Sequence, residues 1–120
     1  MKLLITGTRK GRPDVARWIE RFLLKHDPSE AIVGDAAGVD TQAFLALSRV
    51  GVSVIREVVT GPKSDPRSYH DRNQRMADHC GPGDACLAFP DGESRGTWDC
   101  VRRCRERGMR VYVLPMLEGV

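Results

Sequence analysis

Lys2-Leu3-Leu4-Ile5-Thr6-Gly7-Thr8-Arg9-Lys10-Gly11-Arg12-Pro13 is the stretch whose reading decides the fold. Lys2 to Thr6 is an apolar run of strand length, Gly7 to Arg12 is a polar loop with two glycines, and Pro13 suits a first helical turn, where its missing N–H costs nothing. Val15, Trp18, Ile19, Phe22 and Leu23 then recur at helical spacing, which predicts an amphipathic helix ending near His26. Strand, glycine loop and helix form the repeating unit of a parallel sheet, because parallel neighbours need a long crossover between them.

The unit recurs along the chain. Asp27-Pro28 breaks the first helix, Ala31 to Val33 is a second strand closed by Gly34, and a helix follows from about Val39 to Val50 with Gly51 as its stop signal. Val52 to Val59 reads as a third strand and Thr60 to Pro66 as a loop. A third helix places Tyr69, Asn73, Met76, Ala77 and Cys80 on one face and ends at Gly81-Pro82-Gly83. Ala85 to Phe89 is a fourth strand. After the loop Pro90 to Arg95, a fourth helix over Thr97 to Arg107 turns Val101, Cys104 and Gly108 inward, and Val111 to Leu114 is the fifth strand. The pattern predicts an α/β fold: a Rossmann-like three-layer αβα domain with a five-stranded parallel sheet, order 3-2-1-4-5, and helices on both faces. In such sheets ligands bind at the carboxyl ends of the strands, where the strand order reverses.

Composition sets the outer limits. A chain of 120 residues with 41% apolar and 29% charged residues reads as one globular domain over residues 1–120 and excludes wholesale disorder. No apolar run approaches the roughly 20 residues a membrane helix needs, and the apolar start is too short for a signal peptide, so a cytoplasmic protein without membrane contact is expected. Lys and Arg total 19 against 16 Asp and Glu, a net charge of +3 that admits nucleic acid as a partner without favouring it. Arg95, Arg102, Arg103, Arg105, Arg107 and Arg110 crowd the last quarter and read as a solvated helix face. That helix lacks an aromatic stacking ladder, so Trp98 and Tyr112 are assigned to core or interface. Cys80, Cys86, Cys100 and Cys104 contain no Cys-x-x-Cys pair and read as buried thiols; neither a metal nor a cofactor is expected.

Three loops at strand ends carry the chemistry. They are Gly7-Thr8-Arg9-Lys10-Gly11-Arg12, Gly34-Asp35-Ala36-Ala37-Gly38-Val39-Asp40 and Pro90-Asp91-Gly92-Glu93-Ser94-Arg95-Gly96-Thr97. Each leads into a helix, where glycines allow close backbone approach and free N–H groups attract anions. None matches Walker A or a strict Gly-x-Gly-x-x-Gly. On the third helix, Arg72 and Asn73 fall near the same sheet edge, with hydrogen-bonding capacity for phosphate, ribose or a base. Three such loops in one small domain favour an anionic, nucleotide-like ligand.

Taken together and in order, Gly7-Thr8-Arg9, Gly34-x-Ala-x-Gly38-x-Asp40, Arg72-Asn73 with Met76, and Phe89-Pro90-x-Gly92-x-x-x-Gly96-Thr97 resemble the SLOG superfamily of Rossmann-like domains, in its YspA-type (YpsA-related) branch. The resemblance runs from Leu3 to Leu114. Arg72-x-x-x-Met76 and the Gly-Thr loop are similar to the LONELY GUY and lysine decarboxylase-like phosphoribohydrolases, which cut the N-glycosidic bond of nucleoside 5′-monophosphates. DNA-processing protein A, which binds single-stranded DNA, is a more distant relative. The phosphoribohydrolases carry a catalytic Glu in a Gly-Thr-x-x-Glu pattern; that position is Cys100 here, and Asp99 lies one residue earlier, rotated by about 100° around the helix. The loop from Pro90 to Gly96 is also longer than theirs and lacks its paired glycines.

The resemblance therefore implies phosphate cradling more than hydrolysis. It implies a nucleotide-derived small molecule, of ADP-ribose, NAD-like or nucleoside monophosphate type, bound by Gly7, Thr8, Arg9, Gly34, Asp35, Gly38, Asp40, Arg72, Asn73, Pro90, Asp91, Gly92, Ser94, Gly96 and Thr97. The domain would serve as a sensor, sequestering or regulatory module. The enzymatic alternative is an N-glycoside hydrolase using Asp99 or Asp40, with Asp35, Asp91 and Glu93 as further carboxylates at the sheet edge. Asp40 also suits a helix N-terminus for purely structural reasons. Single-stranded nucleic-acid binding through the arginine-rich helix is the third reading. The phosphoribohydrolase relatives imply a homo-oligomer, a dimer, with Trp18 and Trp98 as interface candidates if exposed.

Overall fold

The computed structural model describes residues 1–116. Among them, strands and helices alternate as β1 (Lys2–Gly7), α1 (Val15–Leu23), β2 (Glu30–Gly34), α2 (Val39–Arg49), β3 (Val54–Glu57), α3 (Pro66–Asp78), β4 (Ala85–Phe89), α4 (Arg95–Glu106) and β5 (Arg110–Val113). All strand pairs are parallel, and the order is β3-β2-β1-β4-β5, as the alternation predicts.

The central strands have apolar residues on both faces because helices cover both. In β1, Leu3 and Ile5 enter a core with Val15, Trp18, Ile19 and Phe22 of α1 and Val39, Ala43 and Leu47 of α2. Leu4 faces the other way, into a core with Met76 of α3 and Cys100, Val101 and Cys104 of α4. The period of two along the strand thus sorts α1 and α2 to one face and α3 and α4 to the opposite one. All four cysteines are free thiols buried in or against this second core, as expected.

Some boundaries differ from expectation. The third strand spans Val54–Glu57 rather than Val52 to Val59, and each of its residues is half-buried. It is an edge strand, and its ladder is limited by β2, whose Ala31 to Gly34 pair with Val54 to Glu57. The valines flanking it, Val52, Val58 and Val59, lie beyond the ladder with β2. Gly108 does not turn inward: it is exposed with φ of 75°, the left-handed conformation that stops α4. Trp18 is buried in the first core, whereas Trp98 is 45% exposed on α4 and so belongs to no core. No helix among the described residues is long and apolar enough to cross a membrane.

Candidate functional site

The chain leaves β1 toward α1 on one face of the sheet and leaves β4 toward α4 on the other. β1 and β4 are neighbours, so the loops at their carboxyl ends diverge and leave a crevice between them. A cleft of about 360 Å³ occupies this position. Its walls are the loop after β1, the loop after β4 with the first turn of α4, and one face of α3.

Of the residues singled out in the sequence, Gly7, Thr8, Arg9, Asp40, Arg72, Asn73, Asp91, Ser94, Gly96 and Thr97 line this cleft. Gly34, Asp35, Gly38, Pro90, Gly92 and Asp99 do not. Their positions have separate causes. Gly34 lies beneath the site: a Cβ there would stand 2.5 Å from both Arg72 Nη1 and Asp40 Oδ2. Gly38 adopts φ of 76° and lies against the backbone carbonyls of Thr8 and Arg9, which lets Val39 N donate to Thr8 O (3.1 Å) and joins two of the loops. Asp35 is a brace, accepting from Arg72 Nη1 at 2.6 Å and from Val59 N at 3.1 Å.

The loop after β4 owes its shape to Asp91. Its carboxylate accepts from Thr8 Oγ1 (2.6 Å), Ser94 Oγ (2.7 Å) and Glu93 N (2.9 Å). The Thr8 hydroxyl, with help from the Glu93 N–H and the Ser94 hydroxyl, holds the Asp91 carboxyl down at about 2. Ser94 is thereby drawn away from capping α4. That helix starts at Arg95, two residues earlier than its hydrophobic period suggests, so Gly96 and Thr97 belong to its first turn. Among the described residues nothing accepts from their N–H groups. Such orphan donors at a helix N-terminus attract anions.

Beneath the cleft lies a buried polar network. Arg72 is 7% exposed and donates from Nε to Asn73 Oδ1 (3.1 Å). Asn73 Nδ2 in turn reaches Gly96 O (3.2 Å) and Asp99 Oδ2 (3.0 Å). Asp40 is 5% exposed; its Oδ2 accepts from Ala36 N at 3.1 Å and stands 4.0 Å from Arg72 Nη1. Burial pushes the Asp40 carboxyl up to about 6, against the opposing pull of Arg72. A buried carboxylate with its proton affinity near neutrality is suited either to accept from ligand hydroxyls or to exchange a proton.

Asp99 has a different setting. Burial raises its carboxyl, but hydrogen bonds from Arg103 (2.9 Å) and Asn73 outweigh that and leave it below the ordinary range. Arg102 takes its other oxygen at 3.1 Å. All of these donors hold it on the α3–α4 side.

Three cations at the cleft have no ion pair or hydrogen bond from their charged groups among the described residues: Arg9, Lys10 and Arg95. Arg12, from the same loop, is spent on structure, pairing with Asp14 and donating to Pro90 O (3.0 Å) and Leu114 O (2.7 Å). Tyr69, absent from the expected set, also lines the cleft, one helical turn before Arg72 and Asn73. Its spacing from Asn73 and Met76 was the available signal. Among the described residues no group of three or more His, Cys, Asp or Glu is arranged to hold a metal.

No protein-family model and no curated protein matches the sequence. The fold is similar to that in the crystal structure of DNA processing protein A from Streptococcus pneumoniae, with a TM-score of 0.75 at 20% identity. The match covers 96% of this chain and 50% of that one, so the chain spans about half the length of that protein. At this identity the likeness establishes the Rossmann-like architecture.

Proposed function

We propose that this chain is a SLOG-type domain of the YspA branch that binds a nucleotide or nucleotide-derived ligand as a sensor, sequestering or regulatory module. One observation carries the reading. Among the described residues, three unpaired cations and two orphan N–H groups surround one cleft at the reversal point of a parallel sheet. The volume, about 360 Å³, falls in the range of small-molecule sites. The phosphate lies against Gly96 and Thr97 at the start of α4, with Lys10 and Arg95 adding charge. Asp40 and Asn73 face the ribose, and Arg72 holds both in place from below.

A second reading is favoured by Asp40 alone. A carboxyl held near 6 beside a ribose is suited to N-glycoside hydrolysis, for which Asp99, engaged by Asn73 and two arginines, is less available. A third draws on the fold likeness to a protein named for DNA processing.

Thermal shift and calorimetry with AMP, ADP-ribose and NAD, alongside chromatography for released base, separate these readings. Saturable binding of at least one nucleotide without release of base supports the module. Release of base that is lost in Asp40→Asn replaces it with the hydrolase. Binding of a single-stranded oligonucleotide alone, with affinity falling steeply in salt, replaces it with nucleic-acid recognition. No response to any of them refutes all three.

A further inference from the structure

Tyr69 is out of keeping with its surroundings. It is half-buried on α3, yet it packs into neither hydrophobic core, and among the described residues its hydroxyl has no hydrogen-bond partner. The Arg9 guanidinium lies over its ring, with Cζ 4.6 Å from the centroid. Arg9 is itself exposed, sits on the β1–α1 loop and forms no ion pair or hydrogen bond from its side chain among the described residues. Both residues line the cleft.

A cation over the ring marks a face of Tyr69 that a group can approach, and both residues line the cleft. The guanidinium is on a flexible stem and, among the described residues, no ion pair or hydrogen bond holds it there, so a second flat group can enter against the ring. Nucleobases stack on such faces whatever their sequence of donors and acceptors. Tyr69 also stands one helical turn before Asn73, whose Nδ2 reaches Gly96 O at the start of α4 (3.2 Å). From Tyr69 to Asn73, α3 thus runs toward the helix end assigned above to the phosphate.

We propose that Tyr69 is the stacking platform for the heterocyclic base of the ligand, and that Arg9 closes over the base's opposite face. This inference rests on the nucleotide-binding reading above. It gives Arg9 to the base and leaves Lys10 and Arg95 as the phosphate's cations.

The test compares AMP with ribose 5-phosphate by calorimetry on the wild-type chain, Tyr69→Ala and Tyr69→Phe. Because Tyr69 belongs to neither core, the variants fold, and circular dichroism checks this. Tyr69→Ala is expected to weaken AMP about tenfold or more while leaving ribose 5-phosphate within about twofold, and Tyr69→Phe keeps AMP within about threefold. The proposal is overturned if Tyr69→Ala binds AMP as the wild type does. It is also overturned if both ligands are lost equally, which would mark a structural role, or if the wild type binds the two ligands alike. A wild-type chain that binds none of AMP, ADP-ribose and NAD refutes the nucleotide reading itself, a result distinct from the others.

Discussion

Replacing Asp40 by Asn is expected to stabilise the protein at neutral pH while weakening its ligand. Asp40 is 5% exposed, and burial raises its carboxyl from 3.8 to about 6. A rise of that size means that folding opposes its ionisation by about 3 kcal/mol once the pH is well above 6. The sign follows from proton uptake. The native state binds the proton more tightly than the unfolded chain, so the favourable contribution of the protonated form is complete below 3.8. It is lost as the pH rises through 6.

Asparagine keeps the shape and can still accept from Ala36 N, and Arg72 retains Asp35 at 2.6 Å, so no bare guanidinium is left. The new amide N–H groups facing Arg72 return part of the gain. The net expectation at pH 7.5 is about 2 kcal/mol of added stability, or about 8 °C in Tm for a domain of this size. The advantage falls to about 0.6 kcal/mol near pH 5 and reverses slightly by pH 4. Thermal melts of both proteins across pH 4 to 8 measure this difference, with other titrating groups cancelling between them. A difference independent of pH, or an Asn variant less stable than wild type at pH 7.5, refutes the argument that the carboxylate is held ionised at a cost to the fold.

Other expectations concern the same site and its supports. Arg72→Ala leaves Asp35 and Asp40 facing each other without their shared cation and is expected to cost about 3–5 kcal/mol in urea melts at pH 7.5, less at pH 5 where Asp40 takes up a proton. Gly34→Ala drives a methyl into Arg72 and Asp40 and should destabilise by about 1–3 kcal/mol. Gly92→Ala, where a Cβ meets nothing within 4 Å, should leave the melting temperature unchanged. Thiol labelling at pH 8 should detect none of the four cysteines until the chain is unfolded, since burial pushes Cys80 up to about 11, and the hydrogen bond with Cys104 together with full burial raises the Cys100 thiol well above its ordinary value.

Much of the fold was legible because its rules are local and repetitive. Parallel strands covered on both faces read as short apolar runs, as in Ala85 to Phe89, whose limits the sequence marks without error. Glycine loops and helical periods then alternate with them, and handedness leaves few topologies. The misreadings fall where locality ends. Val52, Val58 and Val59 have the composition of a strand, but whether they pair depends on how far β2 extends beside them.

At the site, the residue types that gather at the sheet edge could be read from loop composition. Their division of labour could not. Arg12 and Arg9 are near neighbours in one loop, yet Arg12 ties the ends of two strands together and Arg9 rests on a tyrosine 60 residues away in sequence. Asp35 and Asp40 stand five residues apart, one in the loop after β2 and one in the first turn of α2, yet one braces Arg72 and the other is buried beside it with its proton affinity raised. The sequence by itself determined the alternation of elements and hence where a cleft must open. Only the tertiary structure decided which charges there are spent on each other and which are left unpaired among the described residues, because that balance is set by distances between segments the chain brings together only on folding.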